Sequence, residues 1–392
     1  MQIYHFTEQP YPNAWDQPYL RVDLPNGHCD PHVASHLYNR YIDEWMLADE
    51  VGMNVMVNEH HSTSTCLAAS SNVFLSILAR QTRRARILVL GVPLTNRADP
   101  IRVAEELSIV DVISGGRLEM GFVKGVPYEV HIANLNPVGM MDRFWEAHDL
   151  ILKAMTTRDG PFSWEGKHFQ YRGVNIWPRP MQQPHPPVWI TSLSPSSAPG
   201  IARFGYVLAT VLIGYGAKAV FDSYRNACAE MGRPAPGNDR FAYTALSAIA
   251  DNEVEARRRG AMVREYLIQN RVRLPYAMPP GYFPPAMLAK SLRETSKVGK
   301  IPLQSSFGKA LDMKDAGIDE LVDAGCMFCG TPDQVFRQIE KFHKGIGGFG
   351  HLILMAQAGK LNHRDTADSI RLFGAEVMPK LKDRFSSKAV AA

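Results

Sequence analysis

The chain has 392 residues, of which 45% are hydrophobic and 21% charged, and its formal net charge is +4. That balance suits a globular core and argues against disorder, and so small a charge for this length points neither to nucleic acid nor to a membrane as partner. Five cysteines (Cys29, Cys66, Cys228, Cys326, Cys329) form no dense framework, as expected in a reducing cytoplasm. Residues 1–20 lack the apolar core of a signal peptide, and no run of about 18 apolar residues is present to span a bilayer.

No segment of sequence repeats, but a pattern of element types does: a short apolar run, then a helical period. Gln2–Phe6 reads as a first strand. Leu37–Glu50 reads as a helix stopped by Gly52, and Asn54–Val57 as a short buried strand. Leu67–Ala79 is predicted helical, with Phe74, Ile77 and Leu78 on one face. Ala85–Leu94 is a near-continuous apolar run, as a parallel strand covered on both faces should be. Asp99 as cap and Pro100 at the first position open a helix to Ile113. Leu118–Val123 is a fourth strand, and Arg143–Met155 a helix with apolar residues at alternating steps of three and four.

Further along, Pro187–Leu193 is a strand followed by a helix from about Pro195. Tyr206–Thr210 and Phe241–Ala250 are strands separated by a helix carrying Val220, Tyr224, Ala227 and Met231. Asn252–Arg271 is a charged helix whose Arg257-Arg258-Arg259 run reads as a solvated face. His351–Ala356 is the last strand, and the closing helix carries Ile370, Phe373, Val377 and Leu381. Eight strands alternating with helices predict an α/β fold, one (β/α)8 TIM barrel over residues 1–392, with an open doubly wound sheet as the alternative. Two stretches break the rhythm. Residues 160–178 read as a β-hairpin laid on the barrel. Residues 271–307 are Pro-rich, with Tyr276, Met278, Tyr282 and Phe283, and read as a lid.

Barrel enzymes carry their chemistry at the C-terminal ends of the strands. The second strand runs straight into Asn58-Glu59-His60-His61, placing two imidazoles and a carboxylate where proton transfer is done. No metal is expected there: HExxH is absent, and adjacent histidines on an extended chain point apart. The fourth strand ends at Lys124-Gly125, Arg143 opens the next helix, and the fifth strand ends in Ser192-Leu-Ser194-Pro-Ser-Ser197. Cations and hydroxyls at successive strand ends suit a phosphate; ordinary capping is the plainer reading of each alone.

Three motifs are discounted. Gly345-Ile-Gly347-Gly-Phe-Gly350 precedes a strand, so it reads as a turn. Cys326-Met-Phe-Cys329 stands before the Thr331–Gln334 capping box and reads as structural burial. Ser114-Gly115-Gly116-Arg117 reads as a turn at the end of the barrel opposite the site.

In order along the chain, Val57-Asn-Glu-His-His61, Asp99-Pro-Ile-Arg-Val-Ala-Glu-Glu106, Asp111-Val-Ile-Ser-Gly-Gly-Arg-Leu118, Gly121-Phe-Val-Lys-Gly125, Arg143-Phe-Trp-Glu-Ala-His-Asp149, Trp177-Pro-Arg-Pro180 and Pro186-Pro-Val-Trp-Ile190 resemble the bacterial-luciferase-like flavin-dependent monooxygenases, in a limonene-monooxygenase-like branch. The likeness covers residues 35–210 well and 325–383 more weakly.

It implies a homodimeric barrel enzyme that takes reduced FMN from a separate NAD(P)H:flavin reductase and reacts it with O2. The resulting flavin C4a-(hydro)peroxide would oxygenate a small hydrophobic or aromatic organic substrate. The resemblance makes His60 the catalytic histidine, beside Glu59 and His61. It places Gly91 and Val92 at a bulged, often cis, peptide under the flavin ring, and Lys124, Gly125, Arg143, Ser194 and Ser197 near the phosphate. Lys124 stands where the family often has arginine, which keeps the charge without the bidentate fork. Phe6, Glu8, Met56, Tyr282 and Phe283, with Trp15, could line a substrate pocket. Hydride transfer with deazaflavin F420 on the same barrel, or flavin binding without catalysis, are the alternatives.

Overall fold

The computed structural model describes residues 1–283, 285, 289, 302–304 and 310–385. Its strands are β1 (Gln2–Thr7), β2 (Asn54–Val57), β3 (Ile87–Pro93), β4 (Leu118–Val123), β5 (Phe162–Glu165), β6 (Gln170–Val174), β7 (Val188–Thr191), β8 (Val207–Val211), β9 (Phe241–Ile249), β10 (Pro302–Gln304), β11 (Ala310–Asp312), β12 (Met327–Gly330) and β13 (His351–Gln357). The helices are α1 (Pro31–Glu50), α2 (Ser71–Gln81), α3 (Pro100–Ser114), α4 (Pro127–Ile132), α5 (Met140–Thr156), α6 (Ala198–Phe204), α7 (Ala217–Glu230), α8 (Glu253–Gln269), α9 (Leu274–Ala277), α10 (Ile318–Asp323), α11 (Pro332–Gly345), α12 (His363–Leu372) and α13 (Met378–Arg384).

Strands β1, β2, β3, β4, β7, β8, β9 and β13 pair in that order, all in parallel, and β13 closes on β1. This is a closed (β/α)8 barrel, as predicted. Alternate side chains of each strand divide between two cores. Tyr4, Phe6, Met56, Leu88, Leu90, Trp189 and Leu246 fill the barrel, while Ile3, Val55, Val57, Ile87, Val89 and Phe122 pack outward under the helices. The hairpin of β5 and β6 is antiparallel, as expected. Glu146 of α5 anchors it by accepting from the backbone N–H groups of His168 (2.9 Å) and Phe169 (2.9 Å).

Several boundaries differ from expectation for identifiable reasons. Helix α1 begins at Pro31 because Asp30 caps it, accepting from the N–H of His32 at 2.8 Å. Helix α5 begins at Met140, so Arg143 lies inside its first turn rather than opening it. Helix α2 begins at Ser71, because residues 58–70 form the loop that carries the histidines. β12 was not predicted; it pairs with the upper half of the long β9. The Arg257–Arg259 run is only partly a solvated face. Arg259 is buried, donating to the carbonyl of Ile249 (2.9 Å) and the hydroxyl of Ser369 (3.4 Å), so it ties α8 to α12.

The discounted motifs behave as read. The glycine run turns at Gly347 and Gly348, both with positive φ. Cys326 and Cys329 are buried ahead of a capping box at Thr331. Arg117 hydrogen-bonds the carbonyls of Ala79, Thr82 and Ala85, pinning the base of the barrel. Among the described residues no helix is long and apolar enough to cross a membrane. Of the expected lid, residues 271–283 are described and form a strap over the C-terminal mouth; most of 284–307 lies outside the described residues.

Candidate active site

Strand β2 ends at Val57, and the chain enters the mouth as Asn58-Glu59-His60-His61. The backbone N–H of His60 donates to Ala68 at 3.0 Å, which fixes the loop. The imidazole is partly exposed, 19% of its side chain, and its Nδ1 lies 2.9 Å from Oε1 of Glu129. The same oxygen accepts from the N–H of His61 (2.9 Å) and the hydroxyl of Tyr128 (3.1 Å). Burial opposes charge on Glu129, but the hydrogen bonds and charge of His60 and His61 outweigh it and hold its pKa down at about 2. An ionised Glu129 makes Nδ1 the protonated ring position. Nε2 is then the free one, with no hydrogen bond among the described residues.

Glu59 does a different job. Its side chain is wholly buried, and both oxygens accept from Arg97 Nη2 at 2.6 Å. Oε2 also accepts from the N–H (2.9 Å) and hydroxyl (2.8 Å) of Ser71, at the start of α2. His61 Nε2 approaches Oε1 at 3.3 Å. Burial raises the pKa of Glu59, yet His61, Arg97 and Ser71 together bring it below the ordinary carboxylate range. His61 is raised in turn by its hydrogen bond to Glu59, against the opposing effect of burial. Glu59 therefore orients the loop and ties down the His61 ring through its Nε2, whereas the His60 ring is held by Glu129 and leaves its Nε2 free.

The other predicted residues divide. The Leu90–Gly91 peptide is cis, and the β3–β4 register shifts between Leu90 and Val92. A Cβ on Gly91 would come 2.7 Å from the carbonyl oxygen of Gly121, so only glycine fits this close approach of two strands. Lys124 Nζ donates to the carbonyl of Tyr282 (3.1 Å) and stands 3.7 Å from that ring's centre, and the Tyr282 hydroxyl donates to Gly125 (2.6 Å). Burial lowers the pKa of Lys124.

Arg143 reaches the mouth, donating to the carbonyl of Arg97 (3.0 Å) with its guanidinium over Phe169. Ser194 instead caps its own short turn, accepting from the N–H of Ser196 at 3.3 Å, and Ser197 is exposed. No hydrogen bond joins either serine to Lys124 or Arg143 among the described residues. Phe6 and Met56 are buried in the barrel interior. Glu8 is held by Asn58 (2.9 Å) and Tyr266 (2.7 Å). Tyr282 and Phe283 meet edge to face on the strap, and Trp15 donates to Ser64 at 3.1 Å.

Glu129 and Arg97 are the residues that sequence reasoning missed. Glu129 was legible as the only carboxylate of Pro127-Tyr-Glu-Val130, directly after a strand end. Arg97 follows the third strand just as the histidines follow the second. The cations suit a phosphate-bearing cofactor: Nε of Arg97 and Nε of Arg143 are both buried without a partner, Arg143 donates to the Arg97 carbonyl, and the adjoining Thr95 and Asn96 meet Lys124 and Gly125.

Residues 24–347 match the family described as luciferase-like monooxygenase. A protein of Sinorhizobium fredii, named only as uncharacterized protein y4wF, is 34% identical over 48% of this chain and 55% of its own length. The oxygenase component of the flavin-dependent trigonelline monooxygenase of Acinetobacter baylyi is 28% identical over 43% of this chain and 47% of its own length. The chain thus spans about half the length of these curated relatives. Among solved structures, the oxygenating constituent of 3,6-diketocamphane monooxygenase from Pseudomonas putida, determined with FMN, superposes with a TM-score of 0.70 over 93% of this chain and 96% of that one, at 22% identity.

Proposed function

Because the chain belongs to the luciferase-like monooxygenase family, we propose that it is the oxygenase component of a two-component system, taking reduced FMN from a separate reductase and using O2 to oxygenate a small organic substrate. The observation that carries this reading is the Glu129-held imidazole of His60 at the mouth, beside arginine donors without protein partners. Lys124 and Arg143, with Arg97, would hold the phosphate, and Gly91 and Val92 would lie beneath the ring. Ser194 and Ser197 have weaker support, being exposed or engaged in their own turn. A phosphate on Lys124 would replace the contacts now made by Tyr282.

When bound, reduced FMN would supply the two electrons that activate O2, one oxygen atom entering the substrate and the other leaving as water. The protein's own part is proton management and exclusion of water. Glu129 keeps the proton on Nδ1 of His60, so Nε2 accepts a proton from the reacting centre and returns it. Glu59, through Arg97 and Ser71, keeps the loop in place. The strap, with Tyr282 and Phe283, would cover the substrate. Val73, Ile109, Val112 and Ile113 leave an apolar face of α2 and α3 exposed, which supports the expected homodimer.

The test titrates purified protein with FMN, reduced FMN and F420, then mixes the reduced complex with O2. Saturable binding of reduced FMN and a slowed return of oxidised FMN, relative to free flavin, are the expected results. Preference for F420 with hydride transfer would overturn the reading in favour of the deazaflavin alternative. Binding without any change in reoxidation would favour a non-catalytic relative.

A further inference from the structure

Near the loop that carries His60, a partly buried cation lacks a counter-ion at contact distance. Arg21 donates from Nε to the hydroxyl of Thr63 (3.0 Å), and its guanidinium carbon lies 4.6 Å from the centre of the Tyr128 ring. Its Nη2 is buried with no hydrogen-bond partner. Among the described residues no carboxylate forms an ion pair with it. Glu8 and Glu129 are close enough to favour its charge, and with Tyr128 and Tyr266 they raise its pKa despite burial. Three of their four oxygens, however, are engaged elsewhere, both of Glu8 by Asn58 and Tyr266 and Oε1 of Glu129 by His60, His61 and Tyr128, and Oε2 of Glu129 makes no hydrogen bond to Arg21.

A guanidinium with an unused buried N–H edge is costly unless something completes it. A planar carboxylate is the group its fork fits best. Two further observations point to a ligand at this corner. Lys314, whose Nζ donates to the carbonyl of Asn270 (3.2 Å), adds a second cation within electrostatic reach of Arg21, with Arg271 a third and Asp312 and Asp315 as the neighbouring carboxylates. On the same pair of loops, Gln9 is fully buried in the left-handed region (φ 49°), and neither atom of its side-chain amide has a partner.

We propose that Arg21 anchors a carboxylate of the substrate, so that the compound oxygenated is a small organic acid rather than a neutral hydrocarbon. This rests on the reading of the mouth as a flavin monooxygenase site. The path from anchor to chemistry is short: Arg21 lies on Tyr128, whose hydroxyl is 3.1 Å from the Glu129 oxygen that holds His60 at 2.9 Å. Nη2 is buried, so occupying it requires the surrounding side chains or loops to shift.

The experiment compares binding of nicotinate and benzoate with that of nicotinamide and benzamide to the intact protein, in the presence of reduced FMN. We expect each acid to bind at least about tenfold more tightly than its amide. Arg21→Gln should abolish that preference and Arg21→Lys reduce it to an intermediate value. Equal affinity for acid and amide, binding of neither, or an undiminished preference in Arg21→Gln overturns the proposal. If Arg21→Gln does not fold, an unchanged preference in Arg21→Lys overturns it instead. Reduced-FMN binding measured on the same samples separates the two layers. Flavin binding without an acid preference sinks the subsite alone, whereas absence of flavin binding sinks the monooxygenase reading.

Discussion

The barrel carries a buried polar cluster at each end, and the two differ in what they leave unfinished. At the base, Tyr4 donates to Glu119 at 2.7 Å, Glu119 pairs with Arg86, and Trp189 packs edge-on against Tyr4 and His351. The donors and acceptors left over there belong to neutral rings, Trp189 Nε1 and His351 Nδ1. At the mouth, the leftover donors include those of three cations, Arg21, Arg97 and Arg143, beside the amide of Gln9, and the imidazoles of His60 and His61 are partly open to solvent. An unpaired neutral ring atom costs about 1–3 kcal/mol and can be carried by good packing. Several unpaired cationic donors on one rim make sense where an anion completes them. The base is therefore a fastening, and the mouth a site.

The largest expected effect breaks that contrast from the side of the mouth. His60→Ala should lower turnover by roughly 10²- to 10⁴-fold, the usual worth of a positioned acid–base group, with little change in thermal stability because the ring is partly exposed. Near-normal turnover would remove the mouth's claim to chemistry. Glu59→Ala should act mainly on stability. It strips Arg97, Ser71 and His61 of a shared buried partner, and a denaturant titration should show a loss of about 3–5 kcal/mol. If Glu59→Ala instead spared stability and abolished turnover, Glu59 would be a reacting group rather than an orienting one. Glu119→Gln, at the base, should cost about 1–3 kcal/mol through its contacts with Tyr4 and Arg86, leaving turnover and reduced-FMN binding within about twofold of wild type. A larger loss of activity would mean that the two ends are coupled.

The strands were legible because each is an apolar run bounded by turn residues, and the eight barrel strands appear at the expected places. What escaped was mostly local competition. Asp30-Pro31 is the same cap-and-proline signal as Asp99-Pro100, yet the apolar period that marks a helix begins only later, so α1 looked shorter than it is. β12 has only four residues and reads as loop until β9 offers its upper edge. At the site, His60 was legible from its motif and its position after a strand. Its partner Glu129 is 69 residues away and meets it only because the βα loops after β2 and β4 share one rim. Arg259 shows the converse: a run of three arginines says nothing about which one the helix turns inward.

The smallest effects sharpen the comparison through pH. Glu129 has its pKa lowered to about 2, so its contribution to stability is complete above the unfolded carboxylate value of about 4.3 and is lost as pH falls towards 2. Glu129→Gln should lower stability at neutral pH, yet make its fall between pH 5 and 3 shallower, by about one proton taken up on unfolding. His61 works in the opposite direction. Its pKa is raised by Glu59, so its contribution is complete below the unfolded value of about 6.5 and fades as pH rises through the folded one. His61→Gln should therefore flatten the alkaline limb and leave the acid limb intact. The change should be slight, because 38% of the His61 side chain is exposed and solvent screens its pairing with Glu59. Urea titrations of wild type and both variants across pH 3 to 9 check the two limbs together. If both variants changed the same limb, Glu129 and Glu59 would not be separately holding His60 and His61, and the division between an acid–base imidazole and an orienting pair would fail.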